Sequence, residues 1–244
     1  MQRKSFSLSS KKAAVLSVIT AALLIAAACV LNRFLSGKEY YYLMAVLIIA
    51  VSCLPLLVSF EKSRPSAREL AVLACMSALA AASRAAFFSL PTIKPSCAIV
   101  IITAACFGAQ SGFICGALSM FVSNFLFGQG PWTPFQMLAM GAVGLAAGLI
   151  FCNKKVRNNR LILAAVGGIL CFVIYGLIVD ISSVLMMATD FSLKQILSIY
   201  ASGVPFNFSH AATTAVVLLL AGKAFIEKLD RIKIKYGMFG SNQF

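Results

Sequence analysis

The stretch SCAIVIITAACFGAQSGFICGALSMFVSNFLF, residues 96–127, runs 32 residues without a charge, and its reading decides the fold. As one helix it is about 48 Å long at 1.5 Å per residue, too long for a hydrocarbon core of about 30 Å without strong tilt. As two helices it needs a tight turn, and Gly108-Ala109-Gln110-Ser111-Gly112 supplies one. Similar apolar runs flank it. They cover residues 13–31, 40–60, 70–90, 135–152, 161–188 and about 204–225. A Tyr40-Tyr41-Tyr42 cluster opens the second, as in an interfacial aromatic belt.

Composition agrees with lipid as the solvent. The chain has 244 residues, 61% hydrophobic and only 11% charged, where a soluble domain carries about 25%. The net charge of +14 sits between apolar runs. It therefore reads as topology by the positive-inside rule, and nucleic-acid binding is set aside. Eight cysteines show no CxxC spacing and nearly all lie in apolar runs, so they read as small buried hydrophobes, with no metal site. The run at 13–31 exceeds a signal-peptide core of about 7–15 residues and reads as a retained helix.

Charge parity splits the long run. With the N-terminus inside and residues 96–127 as two helices, sixteen basic residues fall inside and five fall outside or in the membrane. A single helix reverses the loop Lys154, Lys155, Arg157 and Arg160. The expectation is an all-α integral membrane protein of eight transmembrane helices with both termini cytoplasmic. Residues 1–62 form two N-terminal helices, 63–228 a six-helix core and 229–244 a basic cytoplasmic tail. No internal repeat points to an inverted-repeat transporter.

The core carries the unusual residues. Ala74, Ala78, Ala82 and Ala86 recur every four residues, a small-residue ridge that lets another helix approach closely. Either this chain or a second subunit can fill it. Gly108, Gly112 and Gly116, with Gly141, Gly144 and Gly148, read as internal packing. Arg84 and Asp180 are ionisable residues inside spans; each costs a few kcal/mol there and needs a cavity or a partner. Lining a solute site and pairing with each other are the alternatives.

The stretch from Asn124 through Gly128-Gln129-Gly130-Pro131-Trp132-Thr133-Pro134 to Gln136 holds the only tryptophan, two prolines and three amides. Prolines and glycines fix its shape, and the amides beside Trp132 read as a binding rim. Lys94 lies in a loop stiffened by Pro91 and Pro95. Residues 200–210 read as an outward segment opening the last helix, with Asn207 and His210. Tyr175 completes the candidate solute-binding set. The chain has no GxxxxGK[ST] loop and no HExxH, so neither ATP hydrolysis nor zinc proteolysis is expected of it, and no catalytic residue is assigned.

From about Arg68 to Lys228 the residues resemble the substrate-binding (S) component of energy-coupling factor (ECF) transporters. The resemblance rests on the alanine-rich helix ending in Arg84, on Leu90-Pro91 and Lys94-Pro95, on the Gly108/Gly112/Gly116 helix pair and on the Gly-Gln-Gly-Pro-Trp-Thr-Pro signature at 128–134. It implies a non-enzymatic, multi-pass subunit of the cell membrane with a six-helix core. Such a subunit binds a vitamin at the extracellular face and works with a transmembrane coupling subunit and two ATPase subunits that hydrolyse ATP. The ridge Ala74, Ala78 and Ala82 then matches the coupling-subunit face. The Gly-Gln-Gly-Pro-Trp loop looks most like members associated with cobalamin or its corrinoid precursors. A stand-alone ion-coupled transporter using Asp180 as its relay, and a membrane enzyme or assembly factor, are the competing readings.

Overall fold

The computed structural model describes residues 65–90, 92–188 and 192–239, together with isolated helical positions between 19 and 60. The two expected N-terminal helices otherwise lie outside the described residues. Seven helices follow. They are α1 (Ala67–Ala86), α2 (Ser96–Phe107), α3 (Ala109–Phe127), α4 (Thr133–Ile150), the short α5 (Lys154–Asn158), α6 (Arg160–Met187) and α7 (Leu193–Lys235).

The 32-residue run does break in two. Gly108 takes φ +96°, a backbone state that strains any residue with a Cβ, and ends α2 while opening α3. The expectation of eight spanning helices is nevertheless overturned. Among the described residues five helices are long and apolar enough to cross a membrane, and α2 is not one of them. Its 12 residues reach about 18 Å, well short of a core of about 30 Å. The parity argument that put both termini in the cytoplasm counted eight crossings, so it falls with them. Five such helices still make this a multi-pass membrane protein.

Close backbone contact explains the position of α2, α3 and α4. A Cβ on Gly144 would stand 2.2 Å from the Gly112 carbonyl oxygen, and one on Gly148 would stand 2.3 Å from Ala109 Cα. The two glycine rows, expected to serve internal packing, face each other, and only glycine permits the approach. α2 is the hub of the core: Cys97, Ala98, Val100 and Ile101 are fully buried there.

α1 starts with a capping box, in which Ser66 Oγ accepts from Glu69 N–H at 3.3 Å and Glu69 Oε2 accepts from Ser66 N–H at 2.8 Å. It buries Leu73, Met76, Ser77 and Ala80 and leaves Ala74, Ala78 and Ala82 exposed. The alanine ridge thus packs nothing inside the described bundle.

α6 and α7 depart most from expectation. Each contains one π-helical turn, at Cys171–Tyr175 and Leu218–Gly222. α7 continues for 43 residues through Pro205 at one end and the charged run to Lys235 at the other. Residues 200–210, expected to open a helix from outside, lie within it.

The bundle has two chemically different ends. At one, Arg157 pairs with Asp230 at 2.6 Å, and Lys233 Nζ donates to the Cys106 carbonyl at 2.8 Å. Phe239 N–H donates to Glu69 there as well. The other end holds the C-terminus of α1, the 92–95 loop, the α3–α4 loop and the start of α7.

Candidate functional site

Arg84, in the last turn of α1, reaches across to α3. Its Nη1 donates to Ser123 Oγ at 2.5 Å and to Asn124 Oδ1 at 2.8 Å. Asn124 is buried and passes the chain on: its Nδ2 donates to Thr133 Oγ1 at 3.1 Å and to Gln136 Oε1 at 2.9 Å, both on α4. Thr133 Oγ1 donates to Gln129 Oε1 at 3.0 Å and accepts from Gly130 N–H at 3.2 Å. Gln129 Nε2 donates to the Phe121 carbonyl at 3.0 Å. One polar network therefore ties α1, α3, α4 and the loop at 128–132 together.

Phe127 closes one side of this network. The Arg84 guanidinium lies 4.7 Å from its ring centroid and Lys94 Nζ lies 4.8 Å from it, so two cations share one aromatic ring. Lys94 also donates to the Phe87 carbonyl at 2.6 Å. Burial first, and the nearby Arg84 charge second, hold the Lys94 ammonium below its ordinary range. Phe88 stacks on Phe127 with ring centroids 5.2 Å apart.

Trp132 caps the start of α4, half-buried. Its indole folds over the loop: a Cβ on Gly130 would stand 2.5 Å from the ring carbons. Gly128 takes φ +96° at the end of α3. These two glycines let the loop turn back, and Pro134 at the beginning of α4 is tolerated because the first helical N–H groups need no partner within the helix.

A second group lies between α6 and α7. Asn207 Nδ2 donates to Asp180 Oδ2 at 2.8 Å, and Tyr175 and His210 meet edge to face with centroids 4.9 Å apart. Among the described residues, Asn207 Oδ1 and both ring nitrogens of His210 are buried with no hydrogen-bond partner. Arg84 and Asp180 do not pair with each other; each is met by neutral side chains.

The structure thus brings Arg84, Lys94, Asn124, Gln129, Trp132 and Gln136 into one neighbourhood and Tyr175, Asp180, Asn207 and His210 into an adjoining one. Sequence reasoning missed Ser123, Phe127 and Thr133 as partners. A signal existed for the first two, since Ser123 and Asn124 stand four and three residues before Phe127, the spacings at which helical side chains meet. Among the described residues no group of three or more His, Cys, Asp or Glu side chains is arranged to hold a metal ion.

Residues 64–226 match the family described as "ECF-type riboflavin transporter, S component". Neither a curated protein nor a solved structure matches the chain. S components are transport subunits without catalytic activity, and they work in a membrane module with a coupling subunit and two ATPases. With two-thirds of its length matched, the chain belongs to the S-component family of ECF-type riboflavin transporters.

Proposed function

We propose that this chain captures a flavin-class vitamin, riboflavin or a close relative, at the outer end of its bundle and hands it to an ATP-driven module. The observation that carries the reading is the Arg84–Asn124–Thr133–Gln136 network, built at one end of an otherwise apolar bundle. Its cation is partnered by neutral groups, leaving a net positive cluster of side chains. A flavin ring offers carbonyl and imide groups along one edge and a flat aromatic face elsewhere. Amides suit the edge, and Trp132 with Phe127 suits the face.

The family description names riboflavin, which turns the expected substrate away from a corrinoid. Orientation rests on the positive-inside rule: Lys154, Lys155, Arg157, Arg160, Arg231, Lys233 and Lys235 collect at the opposite end, which makes that end cytoplasmic. The exposed ridge Ala74, Ala78 and Ala82 is the face for the coupling subunit, because it is small and nothing among the described core helices packs on it. ATP is hydrolysed by the partner subunits.

The test is a thermal-stability screen of the purified chain against riboflavin, flavin nucleotides and cobalamin, with mass spectrometry of any co-purified ligand. Riboflavin at 100-fold over its Kd should stabilise the protein by about 2.7 kcal/mol. Stabilisation by cobalamin alone, or by none of them, would defeat the proposal. A Gln129→Cys variant should react with a membrane-impermeant maleimide from outside intact cells; labelling only after lysis would reverse the orientation.

A further inference from the structure

The basic end of the bundle holds a cavity of about 760 Å³ between the ends of α2 and α4, the short α5 and the last turns of α7. Five cations line it: Lys154, Arg157, Lys223, Arg231 and Lys233. Only two carboxylates oppose them, Glu227 and Asp230. Asp230 is committed to Arg157 at 2.6 Å, whereas Lys223 and Glu227 stand 3.9 Å apart with both side chains largely in contact with solvent. Arg231 is exposed and makes no ion pair among the described residues. The remaining wall is mostly apolar, including Ala104, Ala105, Leu149 and Ile226, with the amides Gln110 and Asn158 beside them.

A cavity with a cationic rim and an apolar wall matches a molecule with an anionic head and an apolar body. Its surroundings belong to a membrane interface. On the outer face of the same stretch of α7, Phe225 and Ile232 are exposed beside Lys228 and Lys235. Apolar residues interleaved with lysines in this way lie at the boundary between headgroups and acyl chains. Basic pockets between transmembrane helices on the positively charged side hold anionic lipid headgroups.

From these features we infer that the cavity binds the phosphate headgroup of an anionic phospholipid, with Lys223 and Arg231 as its movable clamps and the α2–α4 wall receiving the upper acyl chain. The site is separate from the network around Arg84 and does not depend on which solute is bound there.

The experiment uses the full chain, delipidated in neutral detergent, with phosphatidylglycerol, phosphatidylcholine or inorganic phosphate added. Melting temperature and lipid retained in native mass spectrometry are the readouts. Phosphatidylglycerol should raise the melting temperature and remain bound, and phosphatidylcholine should do neither. The double variant Lys223→Gln/Arg231→Gln should bind phosphatidylglycerol roughly thirtyfold more weakly, taking the usual contribution of two basic residues near a headgroup. The control Lys228→Gln/Lys235→Gln, two exposed lysines outside the cavity, should retain it. Equal effects of the two lipids, equal losses in both double variants, or full stabilisation by inorganic phosphate alone would each overturn the assignment. The last outcome would replace the lipid with a soluble anion.

Discussion

The two ends of the bundle handle positive charge in opposite ways. Around Asn124, the Arg84 guanidinium is met by a hydroxyl, an amide oxygen and an aromatic face, none of which carries a charge. Around Asp230, the Arg157 guanidinium meets a carboxylate at 2.6 Å and the Ala105 carbonyl at 3.1 Å. A cation held by neutral groups keeps its field and can still attract an acceptor from a solute. A cation held by a carboxylate has spent most of its field on structure. The difference separates the proposed recognition site from a clasp, though both use arginine on a helix end.

The comparison breaks first at the clasp. Arg157→Ala should destabilise the protein by about 3 kcal/mol, the low end for breaking a buried pair, because Asp230 is left in a partly buried place without a partner. Thermal unfolding in detergent reads this out, and adding Asp230→Ala should restore part of the loss. No change on Arg157→Ala would make the contact incidental. At the other end, Asn124→Ala removes the amide that joins α3 to α4, and solute affinity should fall by about 2 kcal/mol, roughly thirtyfold, in a titration. Trp132→Ala should cost about 1.5 kcal/mol of solute affinity, and an unchanged Kd would reduce the indole to a cover for Gly130.

Smaller effects sharpen the contrast. Asp180→Asn keeps a hydrogen-bonding oxygen for Asn207 and should shift solute affinity by less than about 1 kcal/mol. Gradient-driven uptake in liposomes holding this chain alone, lost in Asp180→Asn, would instead favour an ion-coupled carrier. Ala78→Leu, at an exposed position, should leave stability within about 0.5 kcal/mol. It should still prevent co-purification with a coupling subunit, because leucine blocks the close helix approach.

The residues made some of this legible and hid the rest for identifiable reasons. Gly108 marked the break between α2 and α3 because a run of 32 apolar residues exceeds the bilayer and needs a turn. The same count treated both halves as spans, since hydropathy measures greasiness and not reach, and so it missed that α2 stops after 12 residues. Residues 200–210 read as the outward opening of the last helix, yet α7 already begins at Leu193 and runs through Pro205. Away from water a helix has few competitors for its hydrogen bonds and tolerates breakers that would end it in solution. The basic stretch expected as a tail from residue 229 carries the helix on to Lys235. For the site, the residue types were visible at Arg84, Asn124 and Gln136, but their partners were not. Ser123 and Thr133 are ordinary residues until the fold brings three helices to one point.

The brevity of α2 has a consequence for how charge is spaced along the bundle. Lys94, just before its first turn, and Cys106, whose carbonyl meets Lys233 in its last, put ammonium groups at both ends of a segment spanning only about 18 Å. Positive charge therefore brackets the packed centre of the bundle over a distance well short of the about 30 Å of a hydrocarbon core.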